Sequence, residues 1–208
     1  MPNDEDGAAS DTASSEYTER LISEPNLWWK RVLPTQLPYQ LHLRSMRLGR
    51  TLDVGCGIGR NLSVLPAGSV GVDHNATSVS ACRSSGLLAW TSEEFPSSPA
   101  ARPGHYESIL LSHVLEHVAS AEAGPLVEAY LPYLAPGGRV VAICPQERGF
   151  DSDPSHVWFV TGGDIEAMMQ GWGLDVVRSY SFPFPRAAGR YFTYNEFVVV
   201  GRRPAPGS

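Results

Sequence analysis

The stretch Thr51-Leu52-Asp53-Val54-Gly55-Cys56-Gly57-Ile58-Gly59-Arg60-Asn61 decides how this chain is read. Arg50 to Val54 has strand character, three glycines follow at alternate positions, and Arg60 to Leu65 reads as a helix. Glycines set this closely let backbone approach a ligand at the carboxyl edge of a sheet. A dinucleotide fold would want Gly-x-Gly-x-x-Gly, with the last glycine at position 60. Arg60 stands there, and the third glycine is Gly59. Asp53 discriminates further. A carboxylate at the mouth of the loop would repel a pyrophosphate held by a helix N-terminus and attract a cationic amino group.

Outward from this loop, short apolar runs alternate with helical patterns. Ser69 to Asp73 reads as a second strand, Leu87 to Trp90 as a third, Tyr106 to Ser112 as a fourth and Arg139 to Cys144 as a fifth. Between them lie Ala76 to Ser85, capped by Asn75 and ended by Gly86, and Ala121 to Leu134. Such alternation implies right-handed crossovers and a parallel sheet. Thr161-Gly162-Gly163-Asp164 has capping-box spacing before Ile165 to Gln170. Leu174 to Phe182 and Glu196 to Arg202 read as an antiparallel pair closing the sheet, and Gln36 to Met46 as an amphipathic helix ahead of it. The expected fold is therefore α/β, a Rossmann-like, doubly wound, mostly parallel sheet of seven strands with an antiparallel last strand. Asp73 ends the second strand, where a carboxylate can accept both ribose hydroxyls of an adenosine. S-Adenosylmethionine carries a sulfonium and an ammonium and no phosphate, so Asp53 and the displaced third glycine favour it over a nicotinamide cofactor, whereas Asp73 suits either.

Composition narrows the class. With 208 residues and 42% hydrophobic content the chain can bury a proper core. A formal net charge of −6 disfavours a nucleic-acid partner, which would require a basic surface. Cys56, Cys82 and Cys144 are widely spaced and odd in number, fitting buried thiols in a reducing compartment. No apolar run has membrane-spanning length, so a cytoplasmic location is expected, with no membrane partner. Residues 1–17 are acidic and nearly without apolar side chains, and read as a disordered tail. Arg203 to Ser208 also reads as frayed. One domain is expected over 18–203: an N-terminal helical lid (18–48), a cofactor-binding half (49–145) and an acceptor-side half (146–203).

Leu52-Asp53-Val54-Gly55-Cys56-Gly57-Ile58-Gly59, Val70-Gly71-Val72-Asp73, Ser112-His113-Val114-Leu115-Glu116-His117-Val118 and Leu134-Ala135-Pro136-Gly137-Gly138 occur in this order. The chain thereby resembles class I S-adenosylmethionine-dependent methyltransferases, most of all the broad group that includes ubiquinone- and menaquinone-pathway enzymes. The resemblance covers roughly residues 36 to 202. It implies that Gly55, Cys56, Gly57 and Gly59 line the methionine and ribose portion and that Asp53 anchors the amino group. Asp73, with His74 beside it, is implied at the ribose and Ser112 at the cofactor edge. Thr91 and Ser92 fall where many members carry an Asp beside adenine. That Asp is missing here, so Thr91 or the backbone amide of Ser92 is expected to take the adenine contact.

His113-Val114-Leu115-Glu116-His117 also matches an inverted zinc-protease pattern. Such an enzyme needs a long central helix and a further ligand, whereas this stretch follows directly from a strand, so no metal is expected from it. His113 is a candidate site residue and His117 a packed helix histidine. Asp151, Asp153 and His156 read as a Pro-containing turn rather than a cation site. By resemblance, the loop carrying His156 lies over the acceptor, where a neutral imidazole can take a proton. His156 and His113 are thus the candidate catalytic residues. Trp28-Trp29, Phe182 to Pro185, Tyr191, Phe192 and Tyr194 are the expected lid and acceptor wall, with Arg186 and Arg190 nearby. The expected activity is methyl transfer to a small-molecule acceptor, at a hydroxyl oxygen. The rivals are a catalytically silent cofactor-binding partner protein, a nicotinamide-dependent reductase and a metal hydrolase. A homodimer is compatible with this reading.

Overall fold

The computed structural model describes residues 36–205. The predicted acidic tail, Trp28-Trp29 and the first part of the predicted lid lie outside the described residues. A seven-stranded sheet is formed by β1 (Thr51–Val54), β2 (Val70–Asp73), β3 (Ala89–Thr91), β4 (Tyr106–Ser112), β5 (Leu134–Pro145), β6 (Asp175–Phe182) and β7 (Glu196–Arg202), in the order β3-β2-β1-β4-β5-β7-β6. β1 to β5 are parallel, and β7 runs antiparallel to both β5 and β6, as expected of the closing pair. The helices are α1 (Leu37–Ser45), α2 (Ala76–Ser84), α3 (Ser120–Glu128), the short α4 (Glu147–Phe150) and α5 (Gly162–Gly171).

The central strands carry near-continuous apolar runs because both faces of the sheet are covered. Ile109, Leu111, Val140, Ala142 and Val199 face a core shared with Ala123 and Val127 of α3 and Ile165 and Met169 of α5. Their alternates Leu110, Val141, Ile143, Val198 and Val200 face the opposite side with Leu43 of α1. Each such fully buried aliphatic side chain contributes about 1.5–3 kcal/mol, so a one-residue slip of any central strand is strongly disfavoured.

Local signals acted where they were read. Asn75 Oδ1 accepts from the Thr77 and Ser78 amides and starts α2. Thr161 and Asp164 form a complete capping box that starts α5. Three expectations need correction. Arg60 to Leu65 is not a helix but a set of turns with one 3-10 turn, Leu62–Val64. Gly59 lies at φ +81° on one side, and Leu65 is held extended before Pro66 on the other, so helical hydrogen bonding between them is cut short. The helix expected to reach Leu134 stops at Glu128, because Pro132 imposes a 3-10 turn, and Leu134 already pairs with Tyr106 in β5. Pro136-Gly137-Gly138 then forms an irregularity inside β5, which left-handed Gly137 permits. Finally, Arg203 is not frayed: its amide donates to Gly138 O and its guanidinium to the carbonyls of Leu131 and Leu134. No helix among the described residues is long and apolar enough to cross a membrane.

Candidate active site

At the carboxyl edge of the sheet, β1 ends in the glycine loop and β4 ends in Ser112-His113. A cavity of about 440 Å³ opens between them, a size suited to a small ligand. Its walls include Gly55, Cys56, Gly57, Ser112, His113 and His156 among the anticipated residues, together with Tyr39 and His42 of α1.

The three glycines do different work. All have positive φ, which a side chain resists. A Cβ on Gly55 would collide with Val114, and one on Gly59 would meet Leu87 Cδ1 at 2.5 Å and Cys82 Sγ at 3.0 Å. These two glycines allow the loop to pack on its own protein, and Gly59 does not line the cavity. Gly57 differs, since a Cβ there meets nothing within 4 Å. Its backbone borders open space of the kind a ligand would fill.

Asp53 lies beneath the loop rather than at its mouth. It is 1% exposed, and its Oδ2 accepts no hydrogen bond. Burial first, then the neighbouring Cys82 and Asp73, push its carboxyl up to about 8. Asp73 ties the loop to β2, with Oδ2 accepting from the Gly57 amide at 2.7 Å and Oδ1 from the Asn75 amide at 2.9 Å. His74 points to solvent, its Nδ1 3.6 Å from Asp73 Oδ1. The expected adenine contact needs revision. The Ser92 amide already donates to the Asp73 carbonyl, while the Thr91 amide and hydroxyl are engaged with Glu94. Neither backbone group remains available to a base without rearrangement.

His113 adopts φ +57°, a conformation rare for a residue with a side chain. That twist sets its ring between two carboxylates, with Nδ1 3.0 Å from Glu116 Oε1 and Nε2 2.8 Å from Glu196 Oε1. Although burial opposes the charge, these hydrogen bonds hold the imidazole well above its usual value. A ring with both nitrogens engaged this way is a cationic clamp and not a proton acceptor, which corrects the expectation of a basic His113. His156 faces the cavity, with its Nδ1 donating to the Phe150 carbonyl at 2.8 Å. His117 sits in a 3-10 turn, Leu115–His117, with Nδ1 3.3 Å from the Ser155 carbonyl, and burial lowers its pKa. Asp153 accepts from the amide and hydroxyl of Ser155, the turn that the sequence implied.

Tyr39, His42 and Glu196 were not singled out from sequence. Tyr39 donates to the Tyr194 carbonyl at 2.5 Å, and His42 stacks on Phe182 at 3.9 Å. Their three-residue spacing on a recognised helix was the available signal. For Glu196, at the start of a strand, there was none.

The family profile described as a methyltransferase domain matches residues 28–179. No curated protein sequence matches the chain. Among solved structures, an S-adenosylmethionine-dependent methyltransferase from Archaeoglobus fulgidus is similar at TM-score 0.65 and 16% identity, covering 86% of this chain and 100% of its own. The N-methyltransferase NodS from Bradyrhizobium japonicum, in complex with S-adenosylhomocysteine, gives TM-score 0.65 and 16% identity over 92% of this chain and 98% of its own. The 1,6-didemethyltoxoflavin-N1-methyltransferase of Burkholderia thailandensis gives 0.61 and 16% over 98% and 92%. With the profile spanning well over half of the sequence and the overall fold shared with such enzymes, this chain belongs to the methyltransferase domain family and has the class I fold of S-adenosylmethionine-dependent methyltransferases.

Proposed function

We propose that this protein transfers the sulfonium methyl of S-adenosylmethionine to an oxygen of a small-molecule acceptor. The observation that carries the reading is the glycine loop. Gly57 borders open space at the cavity wall, and beneath it Asp53 keeps a buried carboxyl oxygen without a hydrogen bond. An ammonium beside Asp53 would satisfy that oxygen and ionise the group. Asp73, with two backbone amides on its carboxylate, retains lone pairs for ribose hydroxyls. When bound, the cofactor supplies an electrophilic methyl on a cationic sulfur.

The rest of the cavity serves the acceptor. Tyr39, His42, His117 and His156 line it, and their rings exclude water from a reaction in which charge is lost. The cationic His113, clamped by Glu116 and Glu196, ties the end of β4 to the start of β7 at the cavity wall. The cofactor is thus held by residues of the 49–145 half, and the acceptor by the 146–203 half together with Tyr39, His42 and His117. The choice of oxygen rests on the polar imidazoles at the acceptor end, which suit a hydroxyl group. The N-methyltransferases of similar fold share too little sequence to bear on the acceptor.

Calorimetry tests the cofactor assignment. S-Adenosylhomocysteine should bind and NADH should not. Asp73→Ala removes charge-assisted hydrogen bonds of about 1.5–3 kcal/mol each, so it should weaken S-adenosylhomocysteine binding at least about tenfold. Tight NADH binding without S-adenosylhomocysteine binding would refute the assignment. Screening hydroxylated and amine acceptors for S-adenosylhomocysteine release tests the choice of oxygen.

A further inference from the structure

We propose that Glu116, His117 and His156 form a site for one divalent transition-metal ion at the acceptor end of the cavity. One ligand atom from each of these residues lies within 4.8 Å of the others. Two imidazoles and a carboxylate are a donor set suited to zinc, manganese or ferrous iron. Glu116 is fully buried, and its Oε2 accepts no hydrogen bond while Oε1 is paired with His113. A buried carboxylate oxygen in that state calls for a cation.

The surroundings are those of ligating side chains. His156 donates Nδ1–H to the Phe150 carbonyl, which leaves Nε2 as the ligand atom. His117 is oriented through Nδ1 by the Ser155 carbonyl. Glu116 is steadied by His113, and His113 in turn by Glu196. The Val157 and Trp158 amides donate to the Glu116 carbonyl at 2.8 and 3.3 Å and pin the His156 loop against the turn that carries His117. The two imidazoles meet edge to face with centroids 4.8 Å apart. Bonds of ~2.1 Å to a tetrahedral ion set donors roughly 3.4 Å apart, so separations of up to 4.8 Å close by at most about 1.4 Å on binding. His156, half-buried on a loop, has the freedom to make that movement.

This assignment gives His113-x-x-Glu116-His117 a meaning unlike that of a protease. His113 is the outer partner of a ligand, and the third ligand comes from the loop after β5. The role of the ion, though not its presence, rests on the methyl-transfer reading. An acceptor hydroxyl bound to the ion loses its proton to solvent water at a lowered pKa. The oxygen lone pair then forms the O–CH₃ bond as the S–CH₃ pair returns to sulfur, and the sulfonium and oxyanion charges cancel.

The test uses the full chain, stripped with EDTA and titrated with Co²⁺, Zn²⁺ and Mn²⁺ by calorimetry, with Co²⁺ absorption read in the visible. One ion per chain is expected, with the d–d bands of a histidine and carboxylate site. His156→Ala and His117→Ala should each weaken uptake at least about tenfold. Glu116→Gln disturbs a buried pair, so the two histidine variants carry the test, with their folding checked by circular dichroism. Stoichiometric uptake of none of the three ions, or uptake undiminished in both variants, overturns the site. S-Adenosylhomocysteine binding is measured separately. A chain that takes the metal but not this ligand refutes the cofactor reading and leaves the metal site standing.

Discussion

Replacing Asp53 with Asn should change how stability depends on pH, and the size of the effect follows from burial. Asp53 is 1% exposed, and its carboxyl is raised from 3.8 to about 8, by burial first and then by Cys82 and Asp73. Between those values the folded chain keeps a proton that the unfolded chain has lost. Stability is therefore fully present below the unfolded value and declines as pH rises through the folded one. At 1.36 kcal/mol per pH unit the whole span is worth about 6 kcal/mol, and the interval from pH 5 to pH 8 about 4 kcal/mol. A domain's net stability is commonly about 5–15 kcal/mol, so this is a large fraction of it. Urea unfolding of wild type and Asp53→Asn at pH 5, 6, 7 and 8 isolates the effect, since every other titrating group is common to both chains. The wild-type midpoint should fall by about 1–2 M relative to the variant across that range. Parallel curves would refute the argument. Saturating S-adenosylhomocysteine adds a second arm. If its ammonium meets Asp53, the wild-type curve flattens, and binding at pH 7 releases on the order of one proton to buffer.

The loop glycines should separate folding from binding. Gly57→Ala, left-handed but facing open space, should cost about 1 kcal/mol of stability yet weaken S-adenosylhomocysteine binding severalfold or more. Gly59→Ala, driven into Leu87 and Cys82, should cost about 2–4 kcal/mol and show mainly in the unfolding midpoint. Equal effects of the two on both measurements would contradict the division of labour. His156→Ala should lower turnover by about a hundredfold while leaving S-adenosylhomocysteine affinity within roughly twofold. Loss of cofactor binding in that variant would remove His156 from the acceptor side.

Much of the fold was legible because its signals are local. Alternating apolar runs, the caps at Asn75 and Thr161 and the glycine loop each depend on residues within a few positions. Boundaries failed where two local signals competed. Arg60 to Leu65 mixes polar and apolar residues in a helix-compatible way, but Gly59 and Pro66 hem it in. At Leu134 helix continuation lost to the turn at Pro132, and the strand that replaced it is completed by Tyr106 beside it.

The site divides along the same line. The chain of letters alone determined the α/β class, the glycine loop that borders the cavity, and Gly55, Gly57, Ser112, His113 and His156 as residues of the cavity wall. All but His156, which came from the family resemblance, follow from strand ends, because a residue at the carboxyl edge of a central parallel strand meets the ligand crevice. Only tertiary structure decided the electrostatics. That Asp53 is buried under its loop, that Glu196 reaches His113 across 83 positions, and that the Ser92 amide is engaged by Asp73 all depend on which strands lie side by side. The meeting of Glu116 and His117 with His156 depends on a loop laid across a turn by two backbone hydrogen bonds. Spacing along a chain sets which faces residues share within one element, whereas charge, solvation and ligation depend on what a second element brings to that face.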